Sequence, residues 1–430
     1  MNLKISNLAK IKNADIKIDG ITVIAGENNT GKSTVGKVLF SLFNSINDID
    51  KKILAERESE IYDCCWFVIR NYIMHNYKGT GLSHNVHRLA NEISEEVSKI
   101  FQDEKADRNK VYNIVRSKLY EIASIKVDEV EDMVNEIVNK ILQLLDISEY
   151  KIILEVITRY FNRVFNEQIN SLFDIDNRTG LTLNIKGSNI GLTFNHNECT
   201  EFDSGISVMH KAIYIDNPFI VDKLSDGNYI GIIGESTKQL LNSDIGYDIM
   251  DGIIGTVLSK EKLDKIYKIL EEVVPGDIVE KAGGKYFLSD ENCEEPVSFE
   301  NLSAGLKSFV IIKMLLEKNK IKPKDVLILD EPEIHLHPQW QVVYAEIIVL
   351  LQKYFDLSVV VTTHSPYFLD AINLYSIKHG IDSKVNYYLS SVKAGMASME
   401  QVTENIDRIY EKMSTPLDYL DTLRYELNNN

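Results

Sequence analysis

The stretch Val326-Leu327-Ile328-Leu329-Asp330-Glu331-Pro332 places two adjacent carboxylates directly after four apolar residues. An uninterrupted apolar run of this kind is typical of a parallel strand that is buried on both faces. In an open α/β sheet, ligands bind at the carboxyl ends of the strands, which is where Asp330 and Glu331 fall. A carboxylate there can hold Mg²⁺, and its neighbour can orient a water molecule for attack on a phosphate. The stretch therefore predicts an α/β fold with a phosphate-handling site.

A glycine-rich loop near the start of the sequence supplies the matching phosphate-binding element. Residues 26–34 read G-E-N-N-T-G-K-S-T, which fits G-x-x-x-x-G-K-[ST] between an expected strand (21–25) and an expected helix (35–42). In such a loop, backbone N–H groups surround phosphate oxygens, and the helix N-terminus adds its dipole. The residues expected to bind ATP are Gly26, Asn28, Asn29, Thr30, Gly31, Lys32, Ser33 and Thr34. Lys32 is expected to reach the β- and γ-phosphates, and the Ser33 hydroxyl to bind Mg²⁺.

The composition restricts the class of protein. The chain has 430 residues, more than one ordinary core needs, and its 44% hydrophobic and 26% charged residues are typical of globular proteins. It has no apolar run long enough for a transmembrane helix, and it enters a strand at once, so we expect a cytoplasmic protein without a signal peptide. The net charge of −17 argues against a surface that attracts DNA generally. The four cysteines form no C-x-x-C pair and are interpreted as free thiols.

The pattern of apolar residues divides the chain into three segments. Residues 48–175 contain few glycines and no proline, and their apolar residues recur at helical spacing, as in 127–144. We interpret this segment as a compact helical insertion between an N-terminal lobe, 1–47, and a C-terminal lobe, 176–430. Strands and helices alternate in the C-terminal lobe, which predicts a parallel sheet. Hairpin signals around 186–189 and 282–284 add antiparallel strands, and a helical tail is expected over 399–427.

Two further motifs flank the Asp330-Glu331 strand. Before it, Leu302-Ser303-Ala304-Gly305 precedes an expected helix, where Ser303 can act as the N-cap and Gly305 permits close approach of the backbone. Simple helix capping remains the alternative explanation. After it, Thr362-Thr363-His364-Ser365-Pro366 follows the next expected strand.

The four motifs, in this order, resemble those of the ABC/SMC-like ATPase superfamily over residues 1–45 and 285–425. Within it they are most similar to the stand-alone ATPases of bacterial antiphage systems of the OLD, Septu and PARIS type. The resemblance implies an ABC-type ATPase fold, with Asp330 as the Mg²⁺-associated acid, Glu331 as the general base and His364 at the γ-phosphate. The catalytic residues are thus expected to be Glu331, His364 and Lys32, and the metal ligands Ser33 and Asp330.

The resemblance also implies a composite site. Ser303 and Gly305 would cover ATP bound to an opposite protomer, which requires a head-to-tail dimer around two nucleotides. The sequence departs from the pattern of many transporters at Ala304 and Leu306, where these have Gly and Gln. The glutamine that usually completes the Mg²⁺ shell is not identifiable, and Asp216-Asn217 is a candidate for its loop.

The expected partners follow from the same resemblance. The residues after His364 are too few for the TOPRIM nuclease domain of OLD proteins, so we expect a separate effector, a nuclease or a toxin. An SMC/RecF-like DNA-binding ATPase in repair or maintenance is the alternative. The basic residues of 105–118 are interspersed with acidic ones, which favours a solvated helix face over a nucleic-acid site. No membrane partner is expected, because the insertion lies in the lobe that would dock it.

Overall fold

The computed structural model describes residues 1–76, 85–103, 107–120, 127–173, 178–243, 253–281, 283–290 and 292–429. These residues divide into two compact units. The sheet unit comprises residues 1–47 and 158–430, and the helical unit comprises residues 48–157. Each unit has its own cluster of buried apolar side chains.

Among the described residues, the strands all belong to the sheet unit. In chain order they are β1 (Asn2–Leu8), β2 (Ile11–Lys17), β3 (Ile21–Gly26), β4 (Thr179–Ile185), β5 (Ser188–Asn195), β6 (Glu198–Ser204), β7 (Ala212–Ile215), β8 (Asp277–Lys281), β9 (Lys285–Ser289), β10 (Val297–Ser298), β11 (Val326–Asp330), β12 (Ser358–Thr363), β13 (Val385–Lys393) and β14 (Met396–Gln401). An eleven-stranded sheet has the order β6-β5-β4-β1-β2-β14-β13-β3-β12-β11-β7, and β10-β9-β8 form a separate small sheet. This mixed sheet, with its parallel and antiparallel parts, confirms the predicted α/β class.

The parallel part of the large sheet brings distant segments of the chain to one edge. β3 pairs in parallel with both β13 and β12, β12 with β11, and β11 with β7. In this register Asp330 lies opposite Thr362, and Thr363 lies opposite Ala25. The loops that follow β3, β11, β12 and β7 therefore begin side by side.

The helices are α1 (Lys32–Ile46), α2 (Ile49–Asn76), α3 (Val86–Asp103), α4 (Arg108–Tyr120), α5 (Val127–Leu145), α6 (Glu149–Phe165), α7 (Ile232–Asn242), α8 (Ile253–Val273), α9 (Ala304–Glu317), α10 (Pro338–Phe355), α11 (Pro366–Lys378) and α12 (Asp407–Asn429). α9 and α10 supply much of the core of the sheet unit, where the Phe309 ring packs edge-on against the rings of Trp340 and Tyr344. Within the described residues, no helix combines the length and the hydropathy that crossing a bilayer requires.

The helical unit is built by α2 to α5 and the first part of α6. On α5, Val130, Val134, Ile137 and Ile141 are all fully buried, which is the one-sided apolar stripe of an amphipathic helix. The same core contains Val111, Val115 and Leu119 of α4. Helices α2 to α5 therefore share one cluster of buried apolar side chains.

The division between the units falls inside α6, after Ile157, and not at residue 175 as the sequence analysis had placed it. The second half of α6 packs on the sheet: the Thr158 hydroxyl accepts a hydrogen bond from the Cys199 N–H at 2.9 Å, and the Phe161 and Phe194 ring centroids are 4.8 Å apart. The expected helical tail also differs, because Met399 lies in β14. A tight turn at Ala394-Gly395, both with positive φ, returns the chain onto β13 before α12 begins.

Candidate functional site

The glycine-rich loop connects the end of β3 to the start of α1. Gly26 has a φ of 154°, and a Cβ at this position would lie 2.3 Å from Ser390 Oγ and 2.6 Å from the Ser390 carbonyl oxygen. Only glycine therefore lets β3 end against β13. Gly31, with a φ of 82°, precedes α1 without a side-chain cap, which leaves the first N–H groups of the helix free for an anion.

Three hydrogen bonds made by side chains hold the loop in shape. The Thr30 hydroxyl donates to the Glu27 carbonyl at 2.8 Å and shares a hydrogen bond with the Ser390 hydroxyl at 2.6 Å. Lys10, from the turn between β1 and β2, donates to Asn29 Oδ1 at 2.6 Å. These residues border a cavity of about 200 Å³ whose lining residues are Ala9, Lys10, Asn29, Thr30, Gly31, Lys32, Ser33, Thr34 and Glu331. Lys10 is a site residue that no sequence motif indicated.

Lys32 links the loop to the end of β11. Its side chain is only 3% exposed, and its ammonium donates to the carbonyls of Gly26 at 3.0 Å and Glu27 at 2.8 Å. The same ammonium lies 3.2 Å from Glu331 Oε1. A buried cation needs such partners. A phosphate oxygen in the cavity would compete with them for Lys32.

Asp330 is held by hydrogen bonds on both carboxylate oxygens. The Tyr214 hydroxyl donates to Oδ2 at 2.7 Å, and the Thr362 hydroxyl donates to Oδ1. Burial, together with the nearby Asp330, raises the pKa of Tyr214 well above its ordinary value, so the phenol keeps its proton and acts as the donor.

Asp216, immediately after β7, adds a second carboxylate near Asp330. Desolvation by the surrounding protein, and then the charge of Asp330, raises the pKa of Asp216. Two neighbouring carboxylates are a suitable environment for a divalent cation, because oxygen donors are those that Mg²⁺ prefers. The residues present fit the expected ion, with Asp330 and the Ser33 hydroxyl as the residues that would hold it.

Glu331 leaves the strand in an unusual conformation. Its φ of 49° is in the left-handed region, and its N–H donates to both the carbonyl (3.1 Å) and the hydroxyl (2.9 Å) of Thr362. The strain is offset by these bonds, which direct the carboxylate along the ends of the strands. Glu331 Oε1 faces Lys32, and Oε2 lies 3.7 Å from Nδ1 of His364.

Glu333, two residues further on, is buried beneath His364. Its Oε1 accepts hydrogen bonds from the Thr363 hydroxyl at 2.6 Å and from the His364 N–H at 2.9 Å, and it lies 3.5 Å from His364 Nδ1. Burial raises the pKa of Glu333. Glu333 was not among the predicted site residues. The structure thus brings Lys32, Asp330, Glu331 and His364 together, as expected, and adds Glu333.

The second motif, 302–305, lies elsewhere. Ser303 is exposed and caps α9 by accepting a hydrogen bond from the Leu306 N–H at 3.3 Å. Gly305 is buried, and a Cβ there would lie 2.9 Å from the His335 carbonyl and 3.1 Å from the Trp340 ring. Packing therefore explains why glycine stands at position 305. Neither residue lines the cavity around Lys32, so a contact with ATP stays a prediction about a second protomer.

Known proteins resemble the chain in sequence and in fold. Residues 1–369 match the family model described as an AAA ATPase domain. The Septu protein PtuA of Bacillus thuringiensis is 32% identical over 137 residues, covering 27% of this chain and 34% of that protein. The Retron Ec83 probable ATPase of Escherichia coli is 27% identical over 193 residues, covering 39% of this chain and 33% of that protein. The chain thus spans about a third of each relative's length.

Among solved structures, two SMC head domains match most of the chain at low sequence identity. The SMC head domain from Thermotoga maritima covers 93% of this chain and 98% of its own, with 9% identity and a TM-score of 0.39. The SmcHead bound to the C-winged helix domain of ScpA covers 95% and 98%, with 12% identity and a TM-score of 0.42.

Proposed function

Because the chain belongs to the family of AAA ATPase domains, we propose that it binds ATP with Mg²⁺ and hydrolyses it to ADP and phosphate. The observation that carries this proposal is the approach of Lys32 to Glu331: the two side chains are 3.2 Å apart, although Lys32 begins α1 and Glu331 follows β11, far away in the sequence. It supports a single site in which a phosphate-binding cation and a base for water lie side by side.

Each residue has a role that its surroundings support. The free N–H groups of α1 and the Lys32 ammonium would bind the phosphate oxygens, which draws Lys32 away from Glu331. A bound Mg²⁺, held by Ser33 and Asp330, would neutralise charge on the phosphates. Glu331 would then orient water and accept its proton, while His364 would contact the γ-phosphate. A positioned general base contributes roughly 10²–10⁴-fold to such a reaction.

Exchange of Glu331 tests this proposal. Glu331→Gln keeps the size of the side chain but removes the base, so phosphate release should fall by at least about 10²-fold while ATP binding is retained. Glu198→Gln is the matched control, because Glu198 is an exposed residue of β6, at the opposite edge of the sheet from β7. The ATPase assignment would be contradicted if the wild-type protein did not hydrolyse ATP. The role of Glu331 would be contradicted if Glu331→Gln hydrolysed ATP at the wild-type rate.

We further propose that ATP closes a head-to-tail dimer in which Ser303 of each protomer covers the nucleotide of the other. The exposure of Ser303 and its absence from the Lys32 cavity support a contact made between protomers. Light scattering of Glu331→Gln should show a larger species only with Mg-ATP, and Ser303→Arg should abolish it without loss of ATP binding. A mass that does not depend on nucleotide would contradict this proposal.

The nucleotide state is proposed to control a separate effector, a nuclease or a toxin, in antiphage defence. The support is the order of the four motifs and the sequence similarity to the Septu protein PtuA and the Retron Ec83 probable ATPase. Affinity purification of Glu331→Gln with Mg-ATP from the native host should recover a partner that is absent without nucleotide. Strong, salt-sensitive DNA binding and no such partner would favour the DNA-repair alternative.

A further inference from the structure

Glu333 occupies a position where a carboxylate is costly. Its side chain is 2% exposed, and Oε2 has no hydrogen-bond partner among the described residues. Both hydrogen bonds that Glu333 accepts, from the Thr363 hydroxyl and the His364 N–H, end on Oε1. A glutamine could accept the same two bonds without a buried charge. The anchoring of this turn therefore does not explain why the residue is ionisable.

The group that can use the charge is the His364 imidazole. Its Nδ1 lies 3.5 Å from Glu333 Oε1 and 3.7 Å from Glu331 Oε2, so two carboxylates compete for one N–H. Glu331 Oε1 is already 3.2 Å from Lys32. If His364 Nδ1–H bonded to Glu331 Oε2, both carboxylate oxygens of Glu331 would be occupied. The ability of Glu331 to accept a proton from water would then fall.

We propose that Glu333 is a positioning residue that holds His364, at its backbone N–H and at Nδ1, and so keeps the imidazole from bonding to Glu331. In Glu333→Gln only the two uncharged hydrogen bonds remain, from the Thr363 hydroxyl and the His364 N–H, and Nδ1–H then turns to the stronger acceptor, Glu331. The inference rests on the proposed ATP hydrolysis and assigns Glu333 an effect on turnover, not on ATP binding.

A double-mutant cycle on single-turnover ATP hydrolysis tests the inference. Glu333→Gln should lower the rate by about tenfold at an unchanged ATP affinity, since it weakens the base without touching the phosphate site. In a His364→Gln background the same exchange should have no further effect, because the imidazole through which it acts is gone. A structural role would instead lower the rate equally in both backgrounds, which would overturn the proposal.

The structure offers a matched control in a second Glu–His pair of the sheet unit. Glu346 on α10 lies 3.0 Å from His379 Nε2 and is 15% exposed. Glu346→Gln should therefore change stability but leave the hydrolysis rate within about twofold. If wild type and Glu346→Gln hydrolyse ATP and Glu333→Gln does so equally fast, the positioning role is wrong and the ATPase assignment stands. If wild type does not hydrolyse ATP, the proposed function itself fails.

A second variant covers the case in which Glu333→Gln does not fold. Glu333→Asp retracts the carboxylate from Nδ1 but keeps its charge. Glu333→Asp should lower the rate of ATP hydrolysis in the wild-type background but not in the His364→Gln background. A lower rate in both backgrounds would contradict the proposal.

Discussion

Tyr214 ties β7 to the carboxylate at the end of β11 through one hydrogen bond, 2.7 Å long. Partners of this kind orient metal ligands, and their loss typically lowers metal affinity by about 10–100-fold. We therefore expect Tyr214→Phe to need about tenfold more Mg²⁺ for half-maximal ATP hydrolysis. Tyr388→Phe is the control, since the Tyr388 hydroxyl accepts from the Lys17 N–H, at 2.8 Å, and not from a site residue. Equal Mg²⁺ requirements in both variants would contradict the role of Tyr214.

Glu333 should also affect how stability depends on pH. Burial raises its pKa in the folded protein above the ordinary value of 4.5, so the folded state loses stability as pH rises from 4.5 through the folded pKa. Glu333→Gln does not titrate. The difference in Tm, variant minus wild type, should therefore increase over this range in thermal unfolding measured at a series of pH values.

Glu346→Gln should show the opposite trend. Burial acts to raise the pKa of Glu346, but hydrogen bonds from His379 and Lys378 outweigh it and lower the pKa. Glu346 therefore contributes stability above the ordinary pKa that is lost as pH falls, and its replacement should cost more as pH rises. If the Tm difference between variant and wild type changed with pH in the same direction for both variants, the direction given for the pKa of Glu333 or of Glu346 would be wrong.

The site could be predicted from the sequence where its residues belong to local motifs. Asp330 and Glu331 stand at the end of β11, and Lys32 closes the glycine-rich loop that follows β3. Parallel pairing brings such strand ends together. Tyr214 and Lys10 were not identified, because their contacts depend on the tertiary fold and not on any neighbouring residue. Thr362 was noted within a motif, but its contact with Asp330 likewise depends on strand register. Glu333 was not singled out, because its burial beneath His364 follows only from the packing of the two loops.

At the level of elements, the end of β3 depends on Gly26. An alanine there would bring Cβ to 2.6 Å from the Ser390 carbonyl oxygen, which is backbone and can move only with β13. We expect Gly26→Ala to destabilise the protein by at least about 2 kcal/mol and to abolish ATP binding, as measured by thermal unfolding and nucleotide titration. Gly191→Ala, in β5, meets nothing within 4 Å and should leave ATP binding unchanged. Wild-type ATP binding in Gly26→Ala would exclude this account of the loop.

Elements with a regular period or a turn signal were predicted correctly, as with β4 and β5 joined at Lys186-Gly187. β14 was taken for helix because Ala394-Gly395 is a weak turn signal, and because β14 is stabilised by pairing with β13 and β2, far away in the sequence. α12 then starts beside the glycine-rich loop, where Lys412 lies 2.7 Å from Glu27. Such placements follow from tertiary pairing, which local propensity does not contain.

At the scale of the whole molecule, two separate cores imply two unfolding events. A ligand that binds only the folded sheet unit stabilises that unit by about 2.7 kcal/mol when its concentration is 100 times Kd. Calorimetry of Glu331→Gln should therefore show two transitions, of which Mg-ATP shifts only one to higher temperature. Val134→Asp buries a charge in the helical unit, where Val134 is fully buried, and should lower only the other transition.

The opposite result would change how the nucleotide signal has to be understood. If Mg-ATP and Val134→Asp moved the same transition, the two cores would unfold as one cooperative body. Binding at Lys32 would then alter the stability of the helical unit, and a partner could read the nucleotide state there. If the transitions respond separately, a partner must recognise the state on the sheet unit itself, where the strand ends and Ser303 lie.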